Sequence, residues 1–178
     1  MEQNILKRYN EIHTMLWEEV IKVFSARTNK IRDIEYYKAN KEQMRTLYIQ
    51  PLKRSAIFNL FVRGKITEQE KNILLMNSNC AACYISNEEH NIQVKLGKAN
   101  MFECVCFCCP IEKWRKGVPC KDYYYVEERI NGLRKYIIKC IGGKEKFSLV
   151  AYTSLRKDII KKMYIIAHLE WGYEENEK

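Results

Sequence analysis

The sequence has 178 residues, of which 47% are hydrophobic and 30% are charged, and its formal net charge is +9 at pH 7. This length suits a single domain, or one domain with a small appended module. Because only seven glycines and three prolines are present, the composition favours a helix-rich globular domain and argues against disorder. The positive charge favours contact with nucleic acid or acidic protein surfaces, although a generally lysine-rich composition would produce the same charge.

The N-terminal region and the distribution of apolar residues predict a cytoplasmic protein with no membrane contact. Charged residues are scattered through the first twenty positions, which have neither the apolar centre nor the cleavage site of a signal peptide. No run approaches eighteen consecutive apolar residues, the length that crosses a bilayer. In a reducing cytoplasm, metal binding explains the eight cysteines better than disulfides do.

The first part of the chain, residues 1–78, is predicted to be helical. Residues 3–25 carry apolar side chains at helical spacing, which is typical of a long amphipathic helix. A second helix is expected over residues 34–49, and Pro51 is expected to interrupt it because proline cannot donate a backbone hydrogen bond.

A helical hairpin is predicted before the first cysteine. A helix over residues 55–63 is expected to end at Gly64, because glycine readily adopts the left-handed conformation that follows helices. Thr67 and Glu70 have the spacing of a capping box, which indicates the start of the next helix. We interpret the pair as a packed hairpin rather than a DNA-reading helix-turn-helix, because its second helix lacks a polar, base-reading face.

The middle segment, residues 79–125, predicts a metal-binding module without regular secondary structure over residues 80–120. Two C-x2-C pairs lie 22 residues apart. Two residues between thiolates allow both sulfurs to reach one tetrahedral ion, so the pairs predict a structural zinc site of the zinc-ribbon type. The ligands are expected to be four of five cysteines: Cys80, Cys83, Cys106, Cys109 and Cys120.

Other interpretations of these cysteines stay open. The same thiolates could hold an iron–sulfur cluster, although zinc is favoured because no redox partner is implied. Without a metal, they would be buried cysteines acting as small hydrophobic residues. His90 is a weaker candidate ligand, because a histidine that follows two glutamates is more often solvated, and Cys140 is interpreted as a structural residue of a strand.

A basic loop lies between two of the potential metal ligands. It contains Lys113, Trp114, Arg115 and Lys116, and Lys121 follows shortly afterwards. A loop held rigid by a metal, with cations and an aromatic ring, could contact a phosphate backbone with salt-sensitive affinity. Alternatively, the tryptophan packs over the metal site and the cations are merely solvated. Further basic clusters occur at residues 53–54, 63–65, 134–135, 156–157 and 161–162.

The last part of the chain, residues 126–178, predicts a small β-hairpin followed by a helix. Within residues 134–152, apolar runs flank Gly142-Gly143, a pattern typical of a hairpin. The final helix is expected from about Ser154 to Trp171. The predicted fold is therefore α+β and predominantly helical, with a metal-stapled cysteine-rich module and a small β-hairpin packed into one compact unit.

The cysteine pattern also has a recognisable continuation. The second C-x2-C pair continues as Cys109-Pro110-Ile111 with Trp114 soon after, and residues 166–171 read I-A-H-L-E-W. In these features the chain resembles small cysteine-rich proteins of bacteriophages and prophages of Gram-positive bacteria. The resemblance covers about a third of the chain and implies a phage or mobile-element origin, a bacterial host cytoplasm and a metal knuckle, but no reaction.

Enzyme motifs are scarce, which favours a binding protein. The sequence has no Gly-rich phosphate loop, no Gly-x-Ser-x-Gly elbow and no His-Glu-x2-His helix, and its three histidines offer few general bases. We expect a non-enzymatic protein that acts on nucleic acid or a host nucleoprotein, with counter-defence inhibition of a CRISPR nuclease as one form. The alternatives are a zinc-dependent nucleic-acid-modifying enzyme, with Glu103 or Glu112 as base, and a DNA-binding transcriptional regulator.

Overall fold

Helices make up all the regular structure in residues 3–29, 32–76, 81–101, 121–169 and 171, which are the residues that the computed structural model describes. In chain order the helices are α1 (Gln3–Arg27), α2 (Ile34–Ala39), α3 (Gln43–Thr46), α4 (Ile49–Val62), α5 (Glu68–Met76), α6 (Ala81–Lys95), α7 (Lys121–Ile141) and α8 (Leu149–Ala167). None of them is long and apolar enough to span a bilayer.

The long helix α1 is the centre of the fold, and α4, α6 and α8 all pack against it. Its helical repeat of apolar residues forms a stripe that is buried on these neighbours, as the periodicity of residues 3–25 predicts. The fully buried side chains of this stripe include Ile12, Trp17, Val20 and Phe24. Each such burial stabilises the fold by about 1.5–3 kcal/mol relative to exposure.

Helices α1 and α8 run antiparallel. In the first half of α1, His13 donates from Nε2 to the carbonyl oxygen of Ile166, 2.8 Å away near the end of α8. At the other end, Arg156 of α8 donates to the hydroxyl of Thr28 at 3.1 Å. These contacts bring together residues more than 120 positions apart in the chain, so α8 is fixed along most of its length.

Helix α7 packs antiparallel against α8 and also contacts α2 and the start of α4. Gln50, in the first turn of α4, donates to the hydroxyl of Tyr123 at 3.0 Å. Further along α7, Arg134 donates to the carbonyl oxygen of Met44 at 3.2 Å, and its guanidinium lies 4.2 Å from the centre of the Tyr48 ring. The α7–α8 pair is thereby fixed to both the central helix and the α2–α4 segment.

The predicted helix over residues 34–49 is divided into two short helices. Asp33 caps α2 by accepting a hydrogen bond from the backbone amide of Tyr36 at 3.0 Å, and a turn separates α2 from α3. The expectation that Pro51 interrupts a helix is wrong, because α4 begins two residues before it. A proline in the first helical turn removes an amide that would lack a helical partner anyway.

The helical hairpin of α4 and α5 is confirmed, including both of its sequence signals. Gly64 has a positive φ of 66°, the left-handed conformation expected after a helix. The hydroxyl of Thr67 accepts a hydrogen bond from the Glu70 amide at 3.2 Å, and the Glu70 carboxylate accepts one from the Thr67 amide at 2.8 Å. These two reciprocal bonds form the capping box.

Glu70 also ties this hairpin to α1, which gives its carboxylate a measurable role in stability. Arg8 donates from Nε and Nη2 to the two carboxylate oxygens at 2.7 and 2.9 Å. The hydrogen bonds from Arg8 lower the pKa of Glu70, and the Thr67 amide lowers it further. The stabilisation is therefore present above the ordinary glutamate pKa and is lost as pH falls through the lower folded-state value.

We expect Glu70→Gln to lower the free energy of unfolding by about 1–2 kcal/mol at pH 7, because a charge-assisted pair is removed. As the pH falls below the lowered folded-state pKa of Glu70, the wild-type carboxyl becomes protonated, so the difference should shrink toward the acidic end of the range in which the protein stays folded. Urea titrations followed by circular dichroism at pH 7 and toward this acidic end measure it. The control is Glu68→Gln, because the Glu68 carboxylate is exposed and its ion pair is with Lys71 of the same helix. An equal loss of stability in the two variants would contradict the role of the Arg8 contact.

The predicted β-hairpin is wrong, because residues 134–152 belong to α7, a short loop and α8. Leu133, Ile137 and Cys140 are buried at helical spacing, so the short apolar run before the glycines lies on a helix. Gly143 has a φ of 68°, and the Lys144 amide donates to the carbonyl oxygen of Lys139 at 2.9 Å. This six-residue closure is a helix-ending motif, so Gly142-Gly143 ends α7 and does not form a hairpin turn.

The middle segment also differs from its prediction. Residues 81–95 form α6, whose Ala81, Ala82 and Ile85 are buried, so the expectation of no regular structure over residues 80–120 is wrong for this part. Among the residues that the structure describes, no group of three or more His, Cys, Asp or Glu side chains could hold a metal ion. The α+β fold class with a hairpin and a metal-stapled module is therefore corrected to a helical fold held by side-chain packing.

Candidate nucleic-acid interface

The predicted metal ligands fall almost entirely outside the described residues. Cys83 lies in the first turn of α6, where only its backbone is described. The other four candidates, Cys80, Cys106, Cys109 and Cys120, lie beyond the described ranges. Zinc binding by these cysteines therefore stays a prediction from the sequence.

The two residues given weaker metal or structural roles are both buried. His90 is only 6% exposed, and its Nε2 donates to the carbonyl oxygen of Asn100 at 3.2 Å. The expectation that His90 is solvated is wrong, because its side chain is buried. Its hydrogen bond joins α6 to the segment that follows it. Cys140 is buried in α7, so it is structural as expected but lies on a helix, not a strand.

The predicted partner-binding loop is likewise outside the described part of the chain. Lys113, Trp114, Arg115 and Lys116 fall in the undescribed range, and Lys121 begins α7 without a described side chain. Phosphate binding by this loop stays a prediction.

In several of the other basic clusters, one side chain forms contacts with other residues of the fold. Lys53 is only 3% exposed, with its ammonium 5.5 Å from the centre of the Tyr123 ring. Arg63 forms an ion pair with the buried carboxylate of Glu19. Arg134 and Arg156 are hydrogen-bonded within the fold, as described above. These four side chains therefore add little to a surface that could bind a partner.

The outward face of α8, in contrast to these clusters, carries two exposed lysines. Lys157 and Lys161 are exposed one turn apart, and Tyr164 follows one turn later with 51% of its surface exposed. Residues three or four apart are neighbours on one helix face, so the three side chains form a continuous stripe. We call Lys157, Lys161 and Tyr164 the basic face.

The seam between α7 and α8 borders the basic face and adds further cations. The ring of Tyr125 lies 4.9 Å from the Arg129 guanidinium and 5.0 Å from the Lys162 ammonium. Its hydroxyl donates to Asp158 at 3.0 Å, and Arg129 pairs with the same carboxylate at 3.6 Å. Cation–π contacts and these bonds hold the two cations in place beside the stripe.

Positive charges outnumber negative charges on α8. The helix contains four basic residues and one acidic residue, Asp158. Asp158 and Asp122 partly neutralise the seam, because Asp122 lies 3.9 Å from Lys162. Lys157 and Lys161, in contrast, form no ion pair with any residue of the described ranges. Within the described ranges, no carboxylate therefore neutralises the charges of Lys157 and Lys161.

Packing underneath makes the basic face rigid. Tyr152, Ile159 and Met163 are fully buried on the opposite side of α8, and the hydroxyl of Tyr152 bonds to that of Tyr37 at 2.8 Å. A surface that is ordered before binding loses less conformational entropy when a ligand arrives. The sequence places these lysines in the basic clusters at residues 156–157 and 161–162, but the alignment of both lysines with Tyr164 on one helix face was missed. The spacing of the two lysines and the tyrosine was the available signal.

Comparisons with protein-family models, with curated proteins and with solved structures find no match for this chain.

Proposed function

We propose that this chain is a non-enzymatic nucleic-acid-binding protein and that the basic face of α8 binds the phosphate backbone. The observation that supports the proposal is the pair Lys157 and Lys161, exposed one turn apart on a rigid helix. Phosphate contacts by lysine release condensed counterions, which makes affinity fall steeply with salt. The net charge of +9 adds long-range attraction for the same ligand.

Assays of the purified protein distinguish this proposal from the other functions that the sequence leaves open. Turnover of labelled DNA or RNA by the purified protein would favour the zinc-dependent enzyme, and strong preference for one duplex sequence would favour the transcriptional regulator. Inhibition of a CRISPR nuclease is compatible with nucleic-acid binding and would be tested by adding the protein to a cleavage reaction. Lys113, Trp114, Arg115, Lys116 and Lys121 are a second region whose contribution the same assays would reveal.

We expect Lys157→Glu/Lys161→Glu to weaken binding of a labelled oligonucleotide by about tenfold or more at about 50 mM salt, because two attractive phosphate interactions become repulsive. Fluorescence anisotropy measures the affinity. Log affinity decreases with log salt, and the magnitude of this negative slope should become smaller by about 0.7–0.9 for each phosphate that is no longer neutralised. Circular dichroism should show an unchanged fold, because both side chains are exposed to solvent.

The matched control is Lys41→Glu/Lys65→Glu, which makes the same charge change at two exposed loop positions. Its affinity should stay within about threefold of wild type, because only long-range attraction is reduced. Equal losses of affinity in the two double variants would contradict a site on α8. Wild-type protein that binds no oligonucleotide below about 100 µM, the weak end of non-specific affinity, would overturn the proposal itself.

A further inference from the structure

We propose that the ligand of the basic face is single-stranded, and that Tyr164 stacks on an unpaired base while Lys157 and Lys161 bind the neighbouring phosphates. This inference rests on the proposed nucleic-acid function and specifies which class of nucleic acid the site takes.

The first step is that Tyr164 presents an aromatic ring to solvent beside two cations. Half of its surface is exposed, although its position on α8 is followed by a buried Ile166 and Ala167. The His168 ring lies nearly parallel to it, at 13° and 6.2 Å between centres. Since 51% of the Tyr164 surface stays exposed beside this ring, aromatic surface is available for a base to stack on.

The second step is that the neighbouring aromatic ring of the seam cannot do the same. The ring of Tyr125 is covered by Arg129 and Lys162, and its hydroxyl is bonded to Asp158. It orders cations instead of offering a surface. Within the described α7–α8 seam and the basic face, Tyr164 is thus the aromatic ring that is placed to meet a base.

The third step concerns the ligand. In a duplex the base faces are stacked on one another, whereas an unpaired base offers a face to an aromatic side chain. Lys157 and Tyr164 are separated by about 10 Å along the helix axis, at about 1.5 Å per residue. One strand of a duplex has a phosphate about every 3.4 Å along its axis, and an unstacked single strand is more extended, so this length corresponds to at most about three nucleotides. The stripe therefore matches a short stretch of one strand.

The test compares Tyr164→Ala with wild type on a twelve-nucleotide oligothymidine and on a twelve-base-pair duplex, by fluorescence anisotropy. We expect a loss of affinity of about tenfold on the single strand, since stacking contributes about 1–3 kcal/mol per base. Affinity for the duplex should change less than about twofold, and Tyr164→Phe should retain single-strand binding. The salt slope of Tyr164→Ala should equal that of wild type, because no phosphate contact is removed.

Tyr124→Ala is the matched control, because Tyr124 is 54% exposed on α7 and lies outside the basic face. It should leave both affinities unchanged. Equal losses of affinity for Tyr164→Ala and Tyr124→Ala, or equal losses on single strand and duplex, would overturn the inference. If Lys157→Glu/Lys161→Glu still weakens binding by about tenfold or more in that case, the proposed function stands. Wild-type protein that binds neither oligonucleotide would remove both proposals together.

Discussion

Replacing Trp17 with alanine should lower the free energy of unfolding by about 3–5 kcal/mol, the range measured for large aromatic residues removed from protein cores. Trp17 is fully buried in the middle of α1. Its ring meets that of Tyr123 edge to face, at 6.0 Å between centres and 81°, and so connects the central helix with α7. Small domains have unfolding free energies of about 5–15 kcal/mol, so this one change removes a large share.

A conservative control distinguishes the effect of packing from that of polarity. The indole nitrogen of Trp17 is buried without a hydrogen-bond partner among the residues that the structure describes, so Trp17→Phe removes no hydrogen bond. We expect it to lower the unfolding free energy by no more than about half as much as Trp17→Ala, because an aromatic ring still fills most of the site. Urea titration followed by far-ultraviolet circular dichroism measures both. A decrease below about 1 kcal/mol for Trp17→Ala would show that this ring is not part of the stabilising core.

Alkaline pH should destabilise the protein through three buried tyrosines, Tyr9, Tyr37 and Tyr152. Burial raises the pKa of Tyr9 to about 12. Burial also raises the pKa of Tyr37 and of Tyr152, and the hydrogen bond between their hydroxyls raises that of Tyr37 further. All three side chains therefore stay protonated in the folded state at a pH where an unfolded tyrosine, with a pKa near about 10, loses its proton.

The sign of the effect follows from proton binding. Above about pH 10 the unfolded state binds fewer protons than the folded state, so the free energy of unfolding falls as pH rises toward the folded-state values. Each tyrosine contributes a slope of at most about 1.4 kcal/mol per pH unit. We expect urea midpoints to be unchanged from about pH 7 to 9 and to fall steeply between about pH 10 and 12.

The double variant Tyr37→Phe/Tyr152→Phe tests the assignment. Removing both hydroxyls leaves neither one unsatisfied, so the stability at pH 8 should change by less than about 1 kcal/mol. Its decrease in stability between about pH 10 and 12 should be clearly smaller than that of wild type. Tyr124→Phe, at an exposed position, is the control. An alkaline decrease as steep in the double variant as in wild type would show that other groups cause it.

The parts of the fold that the sequence predicts well are those with two agreeing local signals. For α1 these are length and periodicity, and for the α4–α5 hairpin they are Gly64 and the Thr67–Glu70 capping box. The α7–α8 pair was misinterpreted because short apolar runs beside Gly142-Gly143 fit a strand hairpin and a helix end equally well. Burial against α1 and α2 decides between them, and that information is not local.

The candidate site was predictable only in part. The overall positive charge pointed to an anionic partner, but charge alone does not separate Arg63 and Lys53, which are used inside the fold, from Lys157 and Lys161, which are exposed. That distinction depends on Glu19 and Tyr123, residues that are distant in the chain. The predicted cysteine site and its basic loop lie outside the described residues, so zinc binding is still a prediction of the sequence alone.

The pairing of α1 with α8 also affects how the chain is made. About 120 residues separate the end of α1 from the start of α8, and ribosomes add roughly 5–20 residues per second. The apolar surface of α1 that α8 covers therefore waits about 6 to 24 s after its own synthesis. During that interval α4 can already shield another side of α1, so the nascent chain depends on this early partner, or on a chaperone, to stay soluble until α8 emerges.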